Sequence, residues 1–333
     1  MLLALLLAFA APAEGTVVLK DFHFAAGGVL PELRIHYRTY GARDRPAVLI
    51  LHGTTGSGAQ FTGDDFAGVL FGKGQLLDAE KHFIILPDGI GHGKSSRPSD
   101  GLHARFPHYT YDDMVAAQHA LVLALGVRHL RLVMGTSMGG MQTWVWGETY
   151  PEFMDALMPL ASAPVQIAGR NRMMRDMIMD SIRADPAWAG GEYKQEPLLG
   201  LRGALDVLLV MTSAPLRFQD QYPTRDAADA FYRDWMKKRL PSYDANDVLY
   251  AFDASRDYDP SPRLESIRAP LTAVNSADDT INPPELGILE REIKRVPKGE
   301  FVLIPASTQT RGHGTHTFPV FWKEHLQRLL ERR

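Results

Sequence analysis

Gly135-Thr136-Ser137-Met138-Gly139 directly follows the apolar run Leu130-Arg-Leu-Val-Met134, and this pairing of a G-x-S-x-G turn with a strand decides how the chain is read. A serine on so tight a strand-to-helix turn sits in strained backbone geometry. Gly135 and Gly139 lack the Cβ atoms that would clash with the strand and helix on either side. The hydroxyl is thereby held clear of the sheet. From Met138 to Thr149 apolar side chains recur at Met141, Val145 and Trp146, so the turn is predicted to open a helix whose first amides face the serine. Amides in that position stabilise a developing oxyanion, and Ser137 is the expected nucleophile.

Composition narrows the classes of function. Lys and Arg number 36 against 39 Asp and Glu, so no basic excess favours a phosphate backbone and nucleic acid is not an expected partner. The absence of cysteine removes disulfides, thiolate metal sites and a cysteine nucleophile together. At 333 residues the length suggests about two domains or one enlarged α/β domain. The opening run Met1-Leu-Leu-Ala-Leu-Leu-Leu-Ala-Phe-Ala-Ala-Pro-Ala13 is too short to span a bilayer, which takes about 20 residues. Residues 1–13 read as a signal peptide, with small residues at Ala11-Pro12-Ala13 for cleavage and Glu14 as the mature start. Export to the periplasm or the exterior is the expectation, although no Lys or Arg precedes the apolar core; uncleaved, the run would be an apolar arm on a cytoplasmic protein. No later segment has the length and hydropathy of a membrane span.

Beyond the leader, short apolar runs alternate with helical patterns, which predicts a mostly parallel sheet flanked by helices. Leu33 to Thr39 alternates with period two. Ala47 to Leu51, Phe83 to Leu86, Leu130 to Met134, Ala156 to Leu160, Leu271 to Val274 and Phe301 to Ile304 are almost wholly apolar, as strands buried on both faces are. Pro159 removes a ladder hydrogen bond, so its strand is expected to end early or to lack a neighbour there. Thr110 and Asp113 predict a capping box for a helix closed by Gly126, with Val115, His119, Val122 and Leu123 on one face. Between Pro164 and Pro262 the strand alternation stops, and helical patterns rich in Met, Trp and Tyr take over. The expected layout is a core of residues 14–163 and 263–333 with a helical cap inserted at 164–262. In the cap, Met173, Met177, Ile178 and Ile182 are expected to form an apolar stripe opposite Arg172, Arg175, Asp176 and Asp180.

A serine nucleophile needs a base to take its proton and an acid to orient that base. In α/β-hydrolases, whose strand–serine–helix turn the Ser137 stretch resembles, they follow in the order Ser, Asp or Glu, His. Asp278 and Asp279 come just after the Leu271 run, and the spacing of Asp279-Thr-Ile-Asn-Pro283 favours Asp279. The base is expected in Arg311-Gly-His-Gly-Thr-His316; the Gly-His-Gly context favours His313, with His316 as the alternative. A metal reading of His-x-x-His lacks a helical host. An oxyanion hole takes two amides. Met138 supplies one, and Thr54, in His52-Gly-Thr-Thr-Gly-Ser57 after the Ala47 strand, supplies the other. His52 precedes the serine and is expected to be structural. Asp88-Gly-Ile-Gly-His-Gly-Lys-Ser95 ends like a phosphate-binding loop, but a glycine is needed where Asp88 stands.

The chain resembles the α/β-hydrolase superfamily and, within it, the homoserine O-acetyltransferase family. Phe106-Pro-His-Tyr-Thr-Tyr-Asp-Asp-Met-Val-Ala-Ala-Gln118, Gly135-Thr-Ser-Met-Gly-Gly-Met-Gln142 and Ala184-Asp-Pro-Ala-Trp-Ala-Gly-Gly-Glu-Tyr193 are similar to successive segments of that family. The resemblance implies an α/β-hydrolase fold, Ser137 as nucleophile, Asp279 as acid, His313 as base, and Thr54 and Met138 as oxyanion donors. It also exposes departures. The family's histidine is usually followed by an Asp for the substrate amino group, where this chain has Gly314. Leu205, Thr212 and Ser213 stand where its cap places charged and tyrosine side chains, and Arg202 is the nearest replacement.

Hydrolysis of a small ester is therefore expected, with a small-molecule acyl substrate, no cofactor and no metal; a homodimer is compatible with the sequence. The rivals are an O-acyltransferase taking acetyl-CoA as co-substrate and an inactive binding protein on the same fold.

Overall fold

The computed structural model describes residues 11–332. Eight strands form one sheet: β1 (Ala13–His23), β2 (Val29–Tyr40), β3 (Ala47–Leu51), β4 (Phe83–Pro87), β5 (Leu130–Thr136), β6 (Leu157–Leu160), β7 (Leu271–Ser276) and β8 (Gly299–Ile304). Their spatial order is β1-β2-β4-β3-β5-β6-β7-β8. β1, β2 and β4 pair antiparallel, and the remaining pairs are parallel. The α-helices are α1 (Ala67–Leu70), α2 (Tyr111–Ala124), α3 (Met138–Thr149), α4 (Gly169–Ala184), α5 (Leu198–Thr212), α6 (Pro215–Gln221), α7 (Arg225–Arg239), α8 (Ala245–Asp253), α9 (Ile288–Glu292) and α10 (Lys323–Glu331). This is an α/β-hydrolase fold. Among the described residues no single helix is long and apolar enough to cross a membrane.

The continuous apolar strands follow from burial on both faces. Leu49 and Leu51 of β3 join Val133 of β5 in one core with α2, α3 and α4, whereas Val48 and Ile50 join Leu132 and Met134 in a second core with α1 and α10. Period-two alternation sends neighbouring residues to opposite cores, so in β3 neither face carries a polar residue, and in β5 the run from Leu132 to Met134 is likewise apolar. Thr110 and Asp113 make the reciprocal hydrogen bonds of a capping box at the start of α2.

Several expectations change. β1 has no counterpart in the sequence reading: it is an edge strand with most side chains exposed, so it lacks an apolar run. The leader expected at 1–13 lies outside the described residues up to residue 10; its last residue, Ala13, pairs with Thr39, and the following Glu14, the expected mature start, bridges Lys94 and Arg38. β6 runs through Pro159 with neighbours on both sides. On β5 Pro159 pairs with Gly135, while the β7 ladder skips it, pairing Leu157 with Leu271 and Leu160 with Val274. The missing N–H thus falls at a gap in the ladder. Between β6 and β7 the chain is entirely helical and irregular, but the expected stripe on α4 divides. Met173 and Met177 are 65% and 56% exposed, whereas Arg175, placed with the polar face, is buried beside Ile178 and Ile182.

Candidate active site

At the carboxyl end of β5 the chain turns through Ser137 with φ 55° and ψ −111°, and α3 begins at the next residue. The glycines on either side are required by contact. A Cβ on Gly135 would lie 2.1 Å from the Gly139 carbonyl oxygen, and one on Gly139 would lie 2.1 Å from that of Leu51. Met141 N–H donates to the Ser137 carbonyl, so the amides of the first turn, Met138 foremost, have no intrahelical acceptor and face the serine end of the helix.

His313 approaches from the loop after β8. Its Nε2 lies 2.8 Å from Ser137 Oγ, and its Nδ1 lies 2.9 Å from Asp279 Oδ2. Asp279 is buried and also accepts the amides of Ile281 at 2.8 Å and Asn282 at 3.3 Å. Burial alone would raise its pKa, but His313 and these amides outweigh that and hold it below the usual carboxylate value. The carboxylate fixes Nδ1 as the protonated nitrogen, leaving Nε2 to accept from the serine hydroxyl.

The two alternatives take other places. Asp278 points away from the His313 ring: its Oδ2 accepts from Thr310 Oγ1 at 2.7 Å and from the Gly312 amide at 3.1 Å, and its Oδ1 accepts from Ser276 Oγ. His316 stands edge-on to His313, with ring centroids 5.0 Å apart, and does not reach Ser137. Burial pushes its pKa down to about 3, so it stays neutral, and its Nδ1 has no partner among the described residues. With His313 engaged by Ser137 and Asp279, the two rings do not form a metal pair.

Facing the serine is the loop after β3. A Cβ on Gly53 would lie 3.5 Å from Ser137 Cβ, which places Thr54 beside the site. His52 shapes this loop: it accepts the Gly89 amide at Nε2, so its Nδ1 carries the proton and donates to the Gly53 carbonyl at 2.8 Å. The Asp88 loop is closed by its own carboxylate, which accepts the amides of Gly58 and Lys94 and pairs with Arg38 and His36. A Cβ on Gly93 would fall 2.3 Å from Asp88 Oδ2, and the concavity a phosphate would need is filled.

The positions linked to a charged substrate carry no charge toward the serine. Arg202 is exposed and donates to Tyr232 Oη at 3.1 Å, so it does not replace a substrate clamp. Leu205 is fully buried, and the Thr212 and Ser213 hydroxyls bond back to carbonyls of α5. Gly314 is open: a Cβ there would meet only Arg311 Cβ, at 3.6 Å. Sequence reasoning missed a polar cluster beyond Thr54, made by Tyr111 of α2, Arg175 of α4 and Ser255 after α8. No local pattern could have joined residues so far apart in the chain.

Residues 46–308 match the family model described as the alpha/beta hydrolase fold. A homoserine O-acetyltransferase of Chlorobaculum parvum is 31% identical over 275 residues, covering 76% of this chain and 75% of that protein. Among solved structures, a homoserine O-acetyltransferase from Bacillus anthracis superposes with a TM-score of 0.85 at 20% identity, covering 98% of this chain and 99% of its own. An acetylester hydrolase from Corynebacterium glutamicum superposes with a TM-score of 0.85 at 22% identity, covering 96% of each chain.

Proposed function

Because the chain belongs to the α/β-hydrolase fold family of enzymes, in its homoserine O-acetyltransferase-like branch, we propose that it is a serine-dependent acyl-transfer enzyme that hydrolyses small esters. The observation that carries this reading is the unbroken hydrogen-bonded line from Ser137 Oγ through His313 to Asp279. Nε2 takes the hydroxyl proton as Oγ bonds to the ester carbonyl carbon. The amides of Met138 and Thr54 stabilise the oxyanion, and removal of one such donor typically costs about 10²–10³ in kcat. The imidazolium then gives its proton to the leaving alkoxide, which departs as an alcohol. Water repeats the cycle on the acyl-serine: His313 takes a proton, hydroxide adds to the carbonyl, and the acid leaves as Ser137 regains its hydrogen.

Hydrolysis is favoured over transfer to homoserine by what surrounds this line. Gly314 and Leu205 leave the positions of the expected ammonium and carboxylate contacts uncharged, and Arg202 faces outward. The competing reading is acetyl transfer from acetyl-CoA, which the relatedness to homoserine O-acetyltransferases supports.

The test is a fluorophosphonate label read by intact mass, beside a panel of short 4-nitrophenyl esters. One adduct on the folded protein, absent in Ser137→Ala, together with Ser137-dependent ester hydrolysis, is expected. An adduct that survives Ser137→Ala, or hydrolysis that does, overturns the assignment.

A further inference from the structure

Two arginines are buried among the described residues, and they are treated differently. Arg38 pairs with the carboxylates of Asp88 and Glu14. Arg175, only 3% exposed, forms no ion pair with any described residue. Its Nε donates to Asn171 Oδ1 at 2.9 Å and its Nη1 to Ser255 Oγ at 3.0 Å, while the guanidinium carbon lies 5.6 Å from the centre of the Phe252 ring. These are neutral partners. A guanidinium withdrawn from water and left without an anion is unfavourable, and a planar fork of donors is the shape that a carboxylate fits.

The surroundings add further hydrogen-bonding capacity. Tyr111 Oη is buried within reach of Arg175, Ser255 and Thr54, but none of the three is aligned to make a hydrogen bond of good geometry with it. Burial raises the phenol pKa, so the group keeps its proton and can donate. Thr54 Oγ1 is likewise buried and unpartnered. Each such group is costly to leave unsatisfied. Their position follows from the serine: Gly53 packs against Ser137, Thr54 is the next residue, Tyr111 lies beside Thr54, and Arg175 lies beside Tyr111.

We propose that Arg175, with the hydroxyls of Tyr111 and Thr54, forms a carboxylate-binding subsite next to Ser137, and that the ester hydrolysed there carries a free carboxylate on its acyl or its alcohol part. The subsite explains why a buried cation is tolerated on α4 with only neutral neighbours. It rests on the hydrolytic reading above for its reaction, but not for its binding.

The acyl arm of the test compares mono-4-nitrophenyl glutarate with 4-nitrophenyl pentanoate. The alcohol arm compares acetoxyacetate with ethyl acetate by acid release. In the wild type one arm should show a kcat/KM ratio of about 10 to 100 in favour of the charged ester, the scale of charge-assisted hydrogen bonds. Arg175→Met should bring that ratio close to one, Arg175→Lys should restore part of it, and Tyr111→Phe should reduce it. Because the readout is a ratio, a purely structural role for Arg175 would lower both rates and leave it unmoved. Calorimetric binding of glutarate and succinate to Ser137→Ala, with and without Arg175→Met, reads the subsite independently of turnover and of how active each variant is. Equal ratios in wild type and Arg175→Met, or no dicarboxylate binding that depends on Arg175, overturn the subsite. Arg175-dependent dicarboxylate binding by a protein that hydrolyses no ester supports the subsite and overturns the hydrolytic reading alone.

Discussion

Asp278 Oδ2 accepts the backbone N–H of Gly312 at 3.1 Å, so the carboxylate next in sequence to the partner of His313 anchors the loop that carries His313. Adjacent acids thereby hold the histidine loop at two points, one at the His313 ring and one at the backbone N–H of the preceding residue, Gly312. Gly312 itself has φ 57°, and a Cβ there would lie 2.7 Å from the Ser213 carbonyl oxygen, so the loop has little freedom apart from this anchor.

Asp279→Ala and Asp278→Ala should accordingly fail in different ways. Loss of Asp279 should cut kcat by about 10³ to 10⁴ by freeing the wrong tautomer of His313. Loss of Asp278 leaves the Gly312 amide and the Ser276 hydroxyl without their acceptor and should cost about 1–3 kcal/mol of stability, with the smaller effect on kcat. Thermal melts and ester kinetics on both variants check this, and a larger kcat loss in Asp278→Ala would exchange the two roles.

The histidines separate by the same logic. His313→Ala should reduce turnover by about 10³ or more, while His316→Ala, which removes a neutral ring that does not reach the serine, should lower kcat far less. The reverse ranking in steady-state ester assays would move the base to His316.

Acid should destabilise the protein through His92. Burial, aided by His52, pushes its pKa down to about 3, below the unfolded value near 6.5. Above pH 6.5 both states are neutral at this group and stability is unaffected; as pH falls below 6.5 the unfolded state gains a proton that the folded state refuses, so stability is lost down to about pH 3. Each pH unit inside that window is worth about 1.4 kcal/mol. His92→Gln, relative to wild type, should therefore gain in melting temperature between pH 7 and pH 5. A difference in melting temperature that does not change with pH would sink this account.

Homoserine should be a poor acceptor. Arg175 can engage a carboxylate, but Gly314 leaves the ammonium without its acid, and an unpaired charge in a half-buried pocket costs several kcal/mol. Thiol release from acetyl-CoA should not rise on adding L-homoserine. Gly314→Asp, for which the structure leaves room, should raise homoserine binding if the missing charge is what excludes it. Homoserine-dependent thiol release by the wild type faster than ester hydrolysis would make this protein an acetyltransferase.

How much of this was legible in the sequence depended on how local the cause was. β3 and β4 announce themselves because burial on both faces leaves only apolar residues, β5 and β7 because it leaves mostly apolar ones, and the Thr110–Asp113 capping box lies within one turn. The Ser137 turn is legible because its two glycines are required within five residues. β1 was invisible since an edge strand that faces solvent has no reason to be apolar. Arg175 was read as solvated by its place on the polar side of α4, and it is buried because Ser255 and Phe252, some 80 residues later, close over it. Helical periodicity records a helix's own faces; it carries nothing about which distant segment arrives to cover them.

Thr55, Ser137 and Ala161 are three of the six non-glycine residues at positive φ among the described residues, and they follow the ends of β3, β5 and β6, which lie side by side. Conformations of this kind cost about 1–3 kcal/mol each. The carboxyl end of the sheet, which presents the hydroxyl, thus carries half of the non-glycine positive-φ residues among those described. A selection for thermal endurance alone would drift toward glycine at these three positions, first of all at Ser137, and would yield a sturdier protein by erasing the one atom its architecture is bent to display.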